Sequence, residues 1–241
     1  MGWSRKRWTA IGICMAIFAG VLVRGLPSEM TWRVSSGWVR TEKEKYLVIV
    51  DAGHGGDDPG KIGVDGVLEK DINLAIAKRV KTLLEQQDIR VLLTRETDEG
   101  LYDAGASNKK VEDMKRRCKL MNEEQPDLVV SIHQNSYHEE EIRGAQMFYY
   151  RTSEEGKRLA ETLQKELVRV VDPENKRQAK ANDSYYLLKK TEPPICIVEC
   201  GFLSNWEECR LLETPEYQEK VAWGIHLGII KYLKTEAGKM L

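Results

Sequence analysis

The 241-residue chain carries 37 basic and 38 acidic side chains, so its formal net charge is −1. Because positive charge is not in excess, the composition argues against a nucleic-acid-binding role. With 41% hydrophobic residues, the length suits one globular domain with a short appendage, and it also leaves room for two small domains. No repeat of fixed period and no low-complexity tract is present in the sequence.

Residues 1–26 have the pattern of an export signal. A basic start is followed by the uncharged run Trp8 to Val23, which is close to both a signal-peptide core and a short spanning helix. No good Ala-x-Ala site follows, so a cleaved signal peptide and an uncleaved signal anchor both stay open. Either form places the folded part outside the cytoplasm. Residues 27–45 are polar and are expected to form a tether, which leaves 46–236 for the folded domain.

From residue 46 onward, short apolar runs alternate with stretches of helical periodicity. The predicted strands cover 46–50, 89–93, 127–132, 145–150 and 195–198, and the predicted helices cover 71–86, 111–124, 153–171 and 217–233. This alternation predicts a single α/β domain with a mostly parallel, twisted central sheet flanked by helices. In such folds, functional sites lie at the carboxyl ends of the strands.

Chemically active side chains follow three of these strands. His54 comes shortly after the first, His133 directly after the third, and Glu199 directly after the fifth, while Glu69 stands at the entrance of the first helix. Two histidines and a carboxylate are typical ligands of a catalytic zinc ion, which keeps an open position for water. Zinc lowers the pKa of that water, and a second carboxylate can take its proton. The pattern predicts ligands at His54, Glu69 and His133, with Glu199 as general base and acid.

Each of these residues also has a simpler explanation when taken alone. Glu69 could be a favourable charge at a helix start, His133 a hydrogen-bonded core histidine, and Glu199 an ion-pair partner. The glycine-rich segment 53–56 could cradle a phosphate, but it lacks the spacing and the Lys-Ser/Thr of a Walker loop. The gathering of all four groups at one edge of the sheet favours the metal site.

Two further residues are weaker candidates for the site. Asp51 precedes His54 by three positions and is expected to accept a hydrogen bond from an imidazole N–H. Arg177 opens the segment "RQAKANDSYY", which could line a substrate groove together with Tyr185 and Tyr186, although a solvated loop explains it equally well. The five cysteines form no metal-binding or disulfide pattern. The four that follow the N-terminal apolar run are expected to be buried free thiols.

Five motifs occur in order between residue 46 and about residue 234: "VDAGHGGDDPGKIG", "LEKDINLAIAKRV", "VLLTRETD", "VVSIHQNS" and "IVECGFLSN". They resemble the successive motifs of the zinc-dependent N-acetylmuramoyl-L-alanine amidases of the amidase-3 type. The stretches "EDMKRRCKLMNEEQPD", "GAQMFYY" and "SYYLLKKTEPP" are most similar to the members that act in spore cortex synthesis. The resemblance implies one Zn²⁺ on His54, Glu69 and His133, catalysis by Glu199, and a catalytic domain over 46–236.

The resemblance also implies a substrate and a place of action. The expected reaction is hydrolysis of the amide between the muramic acid lactyl group and L-alanine in peptidoglycan, on the route to the muramic-δ-lactam needed for germination. The expected location is the forespore intermembrane space, with a membrane anchor if the N-terminal segment is uncleaved. An activating partner protein is not visible in the sequence. A zinc carboxypeptidase acting on the stem peptide and a non-catalytic cell-wall-binding protein are the alternatives.

Overall fold

The computed structural model describes residues 46–239, and the predicted export segment 1–26 and tether 27–45 lie outside the described residues. Within that range the strands are β1 Leu47–Ala52, β2 Arg90–Leu93, β3 Leu128–Asn135, β4 Gln146–Tyr149, β5 Lys180–Ala181 and β6 Ile195–Phe202. The helices are α1 Glu69–Glu85, α2 Lys109–Glu124, α3 Glu154–Val171, α4 Tyr186–Lys190, α5 Trp206–Glu213 and α6 Pro215–Lys239. Within residues 46–239, no helix combines the length and the apolar character needed to span a membrane.

The strands form one sheet in the order β2-β1-β3-β6-β4-β5. The pairs β1–β2, β1–β3, β3–β6 and β4–β5 are parallel, and only β4–β6 among the pairs of the described chain is antiparallel. The prediction of a single α/β domain with a mostly parallel central sheet is confirmed. The four predicted helices and five predicted strands are all present, with boundaries that differ by a few residues.

The larger differences from the prediction are two extended strands and three short elements. β3 continues to Asn135 and β6 to Phe202, so His133 and Glu199 lie within strands rather than after them. The sequence pattern missed these extensions because the apolar runs end at polar residues. The backbone ladder continues past them, since alternate side chains of one strand face different surroundings. The sequence did not predict β5, α4 or α5, which are too short to show a periodic pattern.

One face of the sheet is covered by α1, α3 and α6. Val48, Val50 and Ala52 of β1 point toward it, with Val130 and Val198 from the neighbouring strands, and all five are fully buried. This face forms the larger hydrophobic core. Because side chains alternate along a strand, the intervening residues must face the other side.

The opposite face carries a smaller core under α2 and the five-residue α4. Ile49, Val129 and Ile197 belong to this core. Continuing with the same alternation, Asp51 of β1, His133 of β3 and Glu199 of β6 also fall on this face, nearer to the carboxyl ends of the strands. The chemically active side chains therefore gather where the short helix cover ends. The four cysteines of the described region, Cys118, Cys196, Cys200 and Cys209, are buried free thiols, as predicted.

Candidate metal centre

Three potential ligands converge at the carboxyl end of the sheet. His54, Glu69 and His133 each offer one ligand atom, and these atoms all lie within 4.8 Å of one another. Glu69 Oε1 stands 3.2 Å from His54 Nε2 and 2.9 Å from His133 Nδ1. The imidazole rings meet nearly edge to face, with centroids 4.9 Å apart. The structure thus brings together the three residues that the sequence pattern predicts as ligands.

The carboxylate of Glu69 is held from several sides. Glu69 is the first residue of α1, and its side chain is 2% exposed. The backbone N–H of Gln134 donates to Oε1 at 3.0 Å, and that of Lys61 donates to Oε2 at 2.8 Å. The amide nitrogen of Asn73 lies 3.3 Å from Oε1. These donors fix the carboxylate between the two imidazoles before any ligand binds.

The charges of this cluster are strongly coupled. Burial alone would raise the pKa of Glu69, but hydrogen bonds from His133 and His54 hold the pKa of this carboxyl far below its usual range. Burial would lower the pKa of His54, but hydrogen bonds to Asp58 and Glu69 raise it to about 9. In the absence of a metal ion, the protonated, positively charged form of the His54 imidazole is therefore favoured. A metal ion would replace that positive charge between the same carboxylates.

Glu199 lies beside this cluster on the next strand. It pairs in register with His133 and is 6% exposed. Tyr185 Oη donates to its Oε1 at 3.3 Å, whereas Oε2 has no hydrogen-bond partner among the described residues. Burial raises the pKa of Glu199 to about 7, with nearby Glu69 acting in the same direction. A buried carboxyl that can gain or lose a proton near neutral pH, with one free oxygen, suits a general base and acid.

The cluster opens into a cavity of about 530 Å³. Its lining includes the three candidate ligands, Glu199, Tyr185 and Tyr186.

Arg177 does not line this cavity. Its guanidinium lies over the ring of Phe202 at 4.7 Å and donates to the carbonyl of Arg143 and to the side chain of Gln146. Arg177 lines a second cavity instead, so the structure does not bring it together with Tyr185.

The expected role of Asp51 needs correction. Its hydrogen bonds go to Thr94, Ser131 and Arg117 rather than to an imidazole. The imidazole of His54 is instead paired with Asp58, whose Oδ2 lies 2.9 Å from Nδ1. Asp58 went unnoticed in the sequence because the turn that folds it back onto His54 depends on backbone conformations that no residue pattern specifies. The four-residue spacing from histidine to aspartate was the only available signal.

The glycine that precedes His54 has a packing role. A Cβ at Gly53 would lie 2.3 Å from Cε1 of His133, so only glycine lets that imidazole lie against the strand exit. The N–H of Gly53 donates to the carbonyl of Ile132 at 3.1 Å, which continues the β1–β3 ladder by one step. The space above Gly53 is therefore filled by a candidate metal ligand.

The donor set of this centre fits zinc. Two imidazoles and one carboxylate are a usual set of three protein ligands at a catalytic zinc ion. Hydrogen bonds from residues outside the set hold His54, through Asp58, and Glu69, through the N–H groups of Lys61 and Gln134. The unpartnered Oε2 of Glu199 adds a proton acceptor next to the set. An arrangement of this kind is suited to metal-assisted hydrolysis.

Comparison with known proteins places this site in a family. Residues 48–231 match the family model described as N-acetylmuramoyl-L-alanine amidase, of the amidase-3 type. The chain belongs to this family. The match covers nearly all of the sheet and its helices and all four residues of the candidate centre, so the family resemblance inferred from the five sequence motifs is confirmed.

Individual relatives point in the same direction. The chain is 40% identical to the germination-specific N-acetylmuramoyl-L-alanine amidase of Bacillus subtilis over 195 residues, which are 80% of this chain and 81% of that protein. Among solved structures, it is similar to the CwlD amidase from Clostridioides difficile in complex with the GerS lipoprotein, at 43% identity and a TM-score of 0.77, covering 79% of this chain and 99% of that one. An N-acetylmuramoyl-L-alanine amidase from Clostridium difficile is similar at 32% identity and a TM-score of 0.69, covering 78% and 97%.

Proposed function

We propose that the chain hydrolyses the amide bond between the lactyl group of muramic acid and L-alanine of the peptidoglycan stem peptide, with one Zn²⁺ held by His54, Glu69 and His133. The observation that carries this proposal is the position of Glu199. Its free Oε2 is buried beside three potential ligands whose donor atoms lie within 4.8 Å of one another. Family membership supplies the substrate class.

In this mechanism the protein positions the reactants and moves one proton. Zinc, when bound, would polarise the scissile carbonyl and increase the acidity of the attacking water. Glu199 Oε2 accepts the proton of that water and then delivers it to the nitrogen of L-alanine. Protonation lets this nitrogen leave as a neutral amine, because an amine nitrogen that carries a negative charge is a poor leaving group. The hydroxyl of Tyr185 holds the other carboxylate oxygen in place. The cavity of about 530 Å³ provides room for part of the substrate around the scissile bond.

We further propose that this activity serves spore germination. The 40% identity to a germination-specific amidase across most of both chains supports this role. Removal of the stem peptide would then be the step that precedes formation of muramic-δ-lactam in cortex peptidoglycan. The relative solved in complex with the GerS lipoprotein supports a partner protein for this chain as well. Action outside the cytoplasm fits this substrate, with residues 1–26 as export signal or anchor and 27–45 as tether.

Digestion of purified cortex peptidoglycan, with and without added Zn²⁺, tests the reaction. Mass spectrometry of the products is expected to show free lactyl groups on muramic acid and released peptides that begin with L-alanine, and chelation of zinc should stop their formation. Shortened stem peptides still attached to muramic acid would instead identify a carboxypeptidase. Binding to peptidoglycan without any product in the presence of zinc would identify a non-catalytic wall-binding protein.

A further inference from the structure

Arg117 of α2 is a buried guanidinium that the proposed mechanism does not use. Its side chain is 1% exposed, yet it makes direct contact with the backbone of a candidate ligand. Nη2 donates to the carbonyl of His54 at 2.7 Å, and Nη1 donates to the carbonyl of Ala52 at 2.9 Å. One planar group therefore ties the end of β1 to the residue that carries the imidazole.

The backbone of His54 needs such a support. Its φ is +62°, in the left-handed region that a histidine seldom occupies. A residue in this region persists only where its surroundings hold it there. The following Gly55 and Gly56 also have positive φ, at 132° and 58°, which glycine adopts without strain, and their N–H groups donate to Asp58 and Asp98. The strained conformation is therefore confined to His54, a residue with a side chain.

A second arginine holds the same segment through other carbonyls. Arg95 donates from Nε to Ala52 at 3.0 Å and from Nη2 to Gly53 at 3.2 Å. The carbonyls of residues 52–54 are thus bound by two buried guanidinium groups. Of these two arginines, Arg117 is the one that reaches the carbonyl of His54.

The charge of Arg117 is neutralised within the protein. Asp51 Oδ1 accepts from Nη1 at 2.6 Å, and Asp113 Oδ2 accepts from Nε at 2.6 Å. Asp51 is in turn fixed by the hydroxyls of Thr94 and Ser131, at 2.8 and 2.5 Å. Because two carboxylates flank the guanidinium and offset its positive charge, it can lie next to a cation-binding site without strongly repelling the cation.

We propose that Arg117, oriented by Asp51 and Asp113, is a positioning residue that holds His54 in its metal-binding conformation and thereby sets the metal affinity of the centre. The proposal rests on the proposed function insofar as that function places a metal ion on His54. It predicts that geometry, and not only positive charge, is needed at position 117. A lysine retains the charge but loses the fork that binds Ala52 and His54 together.

The test compares Arg117→Lys with a matched control, Gln164→Met. Gln164 is 3% exposed and makes two buried hydrogen bonds, to the N–H of Met147 at 2.8 Å and the carbonyl of Ala145 at 3.1 Å, on the other face of the sheet. Both variants should lower the melting temperature. Zn²⁺ dissociation constants are measured by competition with a chromophoric chelator, and the visible spectrum of the Co²⁺-loaded protein reports the ligand geometry.

The expected result is a Zn²⁺ dissociation constant about 10- to 100-fold higher for Arg117→Lys, with an altered Co²⁺ spectrum, while Gln164→Met matches the wild type in both. An Arg117→Lys protein that binds as tightly as Gln164→Met overturns the proposal. If Arg117→Lys does not fold, Asp113→Asn is judged in the same way, since it keeps Arg117 but weakens its anchor. A wild-type protein that binds no metal would contradict the proposed function itself.

Discussion

The two faces of the central sheet have opposite chemistry although the same strands build both. On the α1, α3 and α6 side, the alternate residues are apolar and fully buried from Val48 to Ala52 in β1, from Leu128 to Ile132 in β3 and from Cys196 to Cys200 in β6. On the α2 and α4 side, the next residues along the same strands include Asp51, His133 and Glu199. The apolar face therefore supplies rigidity to backbones whose other side chains form the candidate centre.

The difference between the two faces predicts which property of the protein a substitution on each face should change. A change at Glu199 or at a candidate metal ligand should alter metal binding or catalysis with little loss of folding free energy. A change on the apolar face should lower stability and leave the activity of the folded molecules intact. The two faces share one backbone, so the separation tests whether the sheet is the rigid support that the geometry indicates.

The largest effect is expected from Glu199→Gln on the polar face. Glutamine has the same shape but cannot accept the proton, so cleavage of muropeptides should fall by about 10²- to 10⁴-fold while zinc remains bound. His133→Ala is the matched control, since it should lose the metal as well as activity. Zinc content and product formation are measured on the same samples. A Glu199→Gln protein that cleaves at the wild-type rate would exclude Glu199 as the base.

On the apolar face, Leu163→Ala should act on stability alone. Leu163 of α3 is fully buried and packs against Gly228 of α6. Removing its side chain is expected to lower the free energy of unfolding by about 2–5 kcal/mol, because the lost contacts leave a cavity. Denaturant unfolding measures this change. If the zinc affinity of the folded variant also falls tenfold, the two faces are not separable in the way described.

The smallest effect is expected in how stability depends on pH in the metal-free protein. Burial raises the pKa of Glu199 from an ordinary value of 4.5 to about 7, so the folded state binds this proton more tightly than the unfolded state. The contribution to stability is complete below pH 4.5 and is lost as the pH rises through 7. Relative to the metal-free wild type, the free energy of unfolding of metal-free Glu199→Gln should therefore increase between pH 4.5 and pH 7, by at most about 3 kcal/mol.

Unfolding curves of both proteins at several pH values measure this difference. Chelator is present throughout, because a bound cation would itself stabilise the ionised carboxyl. A difference in stability that does not change between pH 4.5 and pH 8 would show that Glu199 is not the group that titrates.

Much of the fold and of the candidate centre could be predicted from the sequence. His133 and Glu199 each follow an apolar run directly, so their strands and their location at the carboxyl edge of the sheet could be predicted without a structure. Glu69 was found because helical periodicity begins just after it. These inferences depend on local patterns, which a sequence displays directly.

The rest depends on tertiary contacts and on backbone conformations. The pairing of Asp51 with Arg117 joins positions that are 66 residues apart and belong to different elements. The approach of Asp58 to His54 requires positive φ values along the turn between them. Arg177 could not be placed because its position is set by stacking on Phe202, near the end of another strand. No local pattern encodes these relations.

The most direct test of the account is the position of the metal ion. Anomalous diffraction at the zinc absorption edge, measured on crystals of the zinc-loaded protein, locates the ion without any assumption about activity. The account predicts one strong peak bounded by His54, Glu69 and His133, within reach of Glu199. A peak held by other residues, or zinc-loaded crystals with no peak at these three side chains, would contradict it.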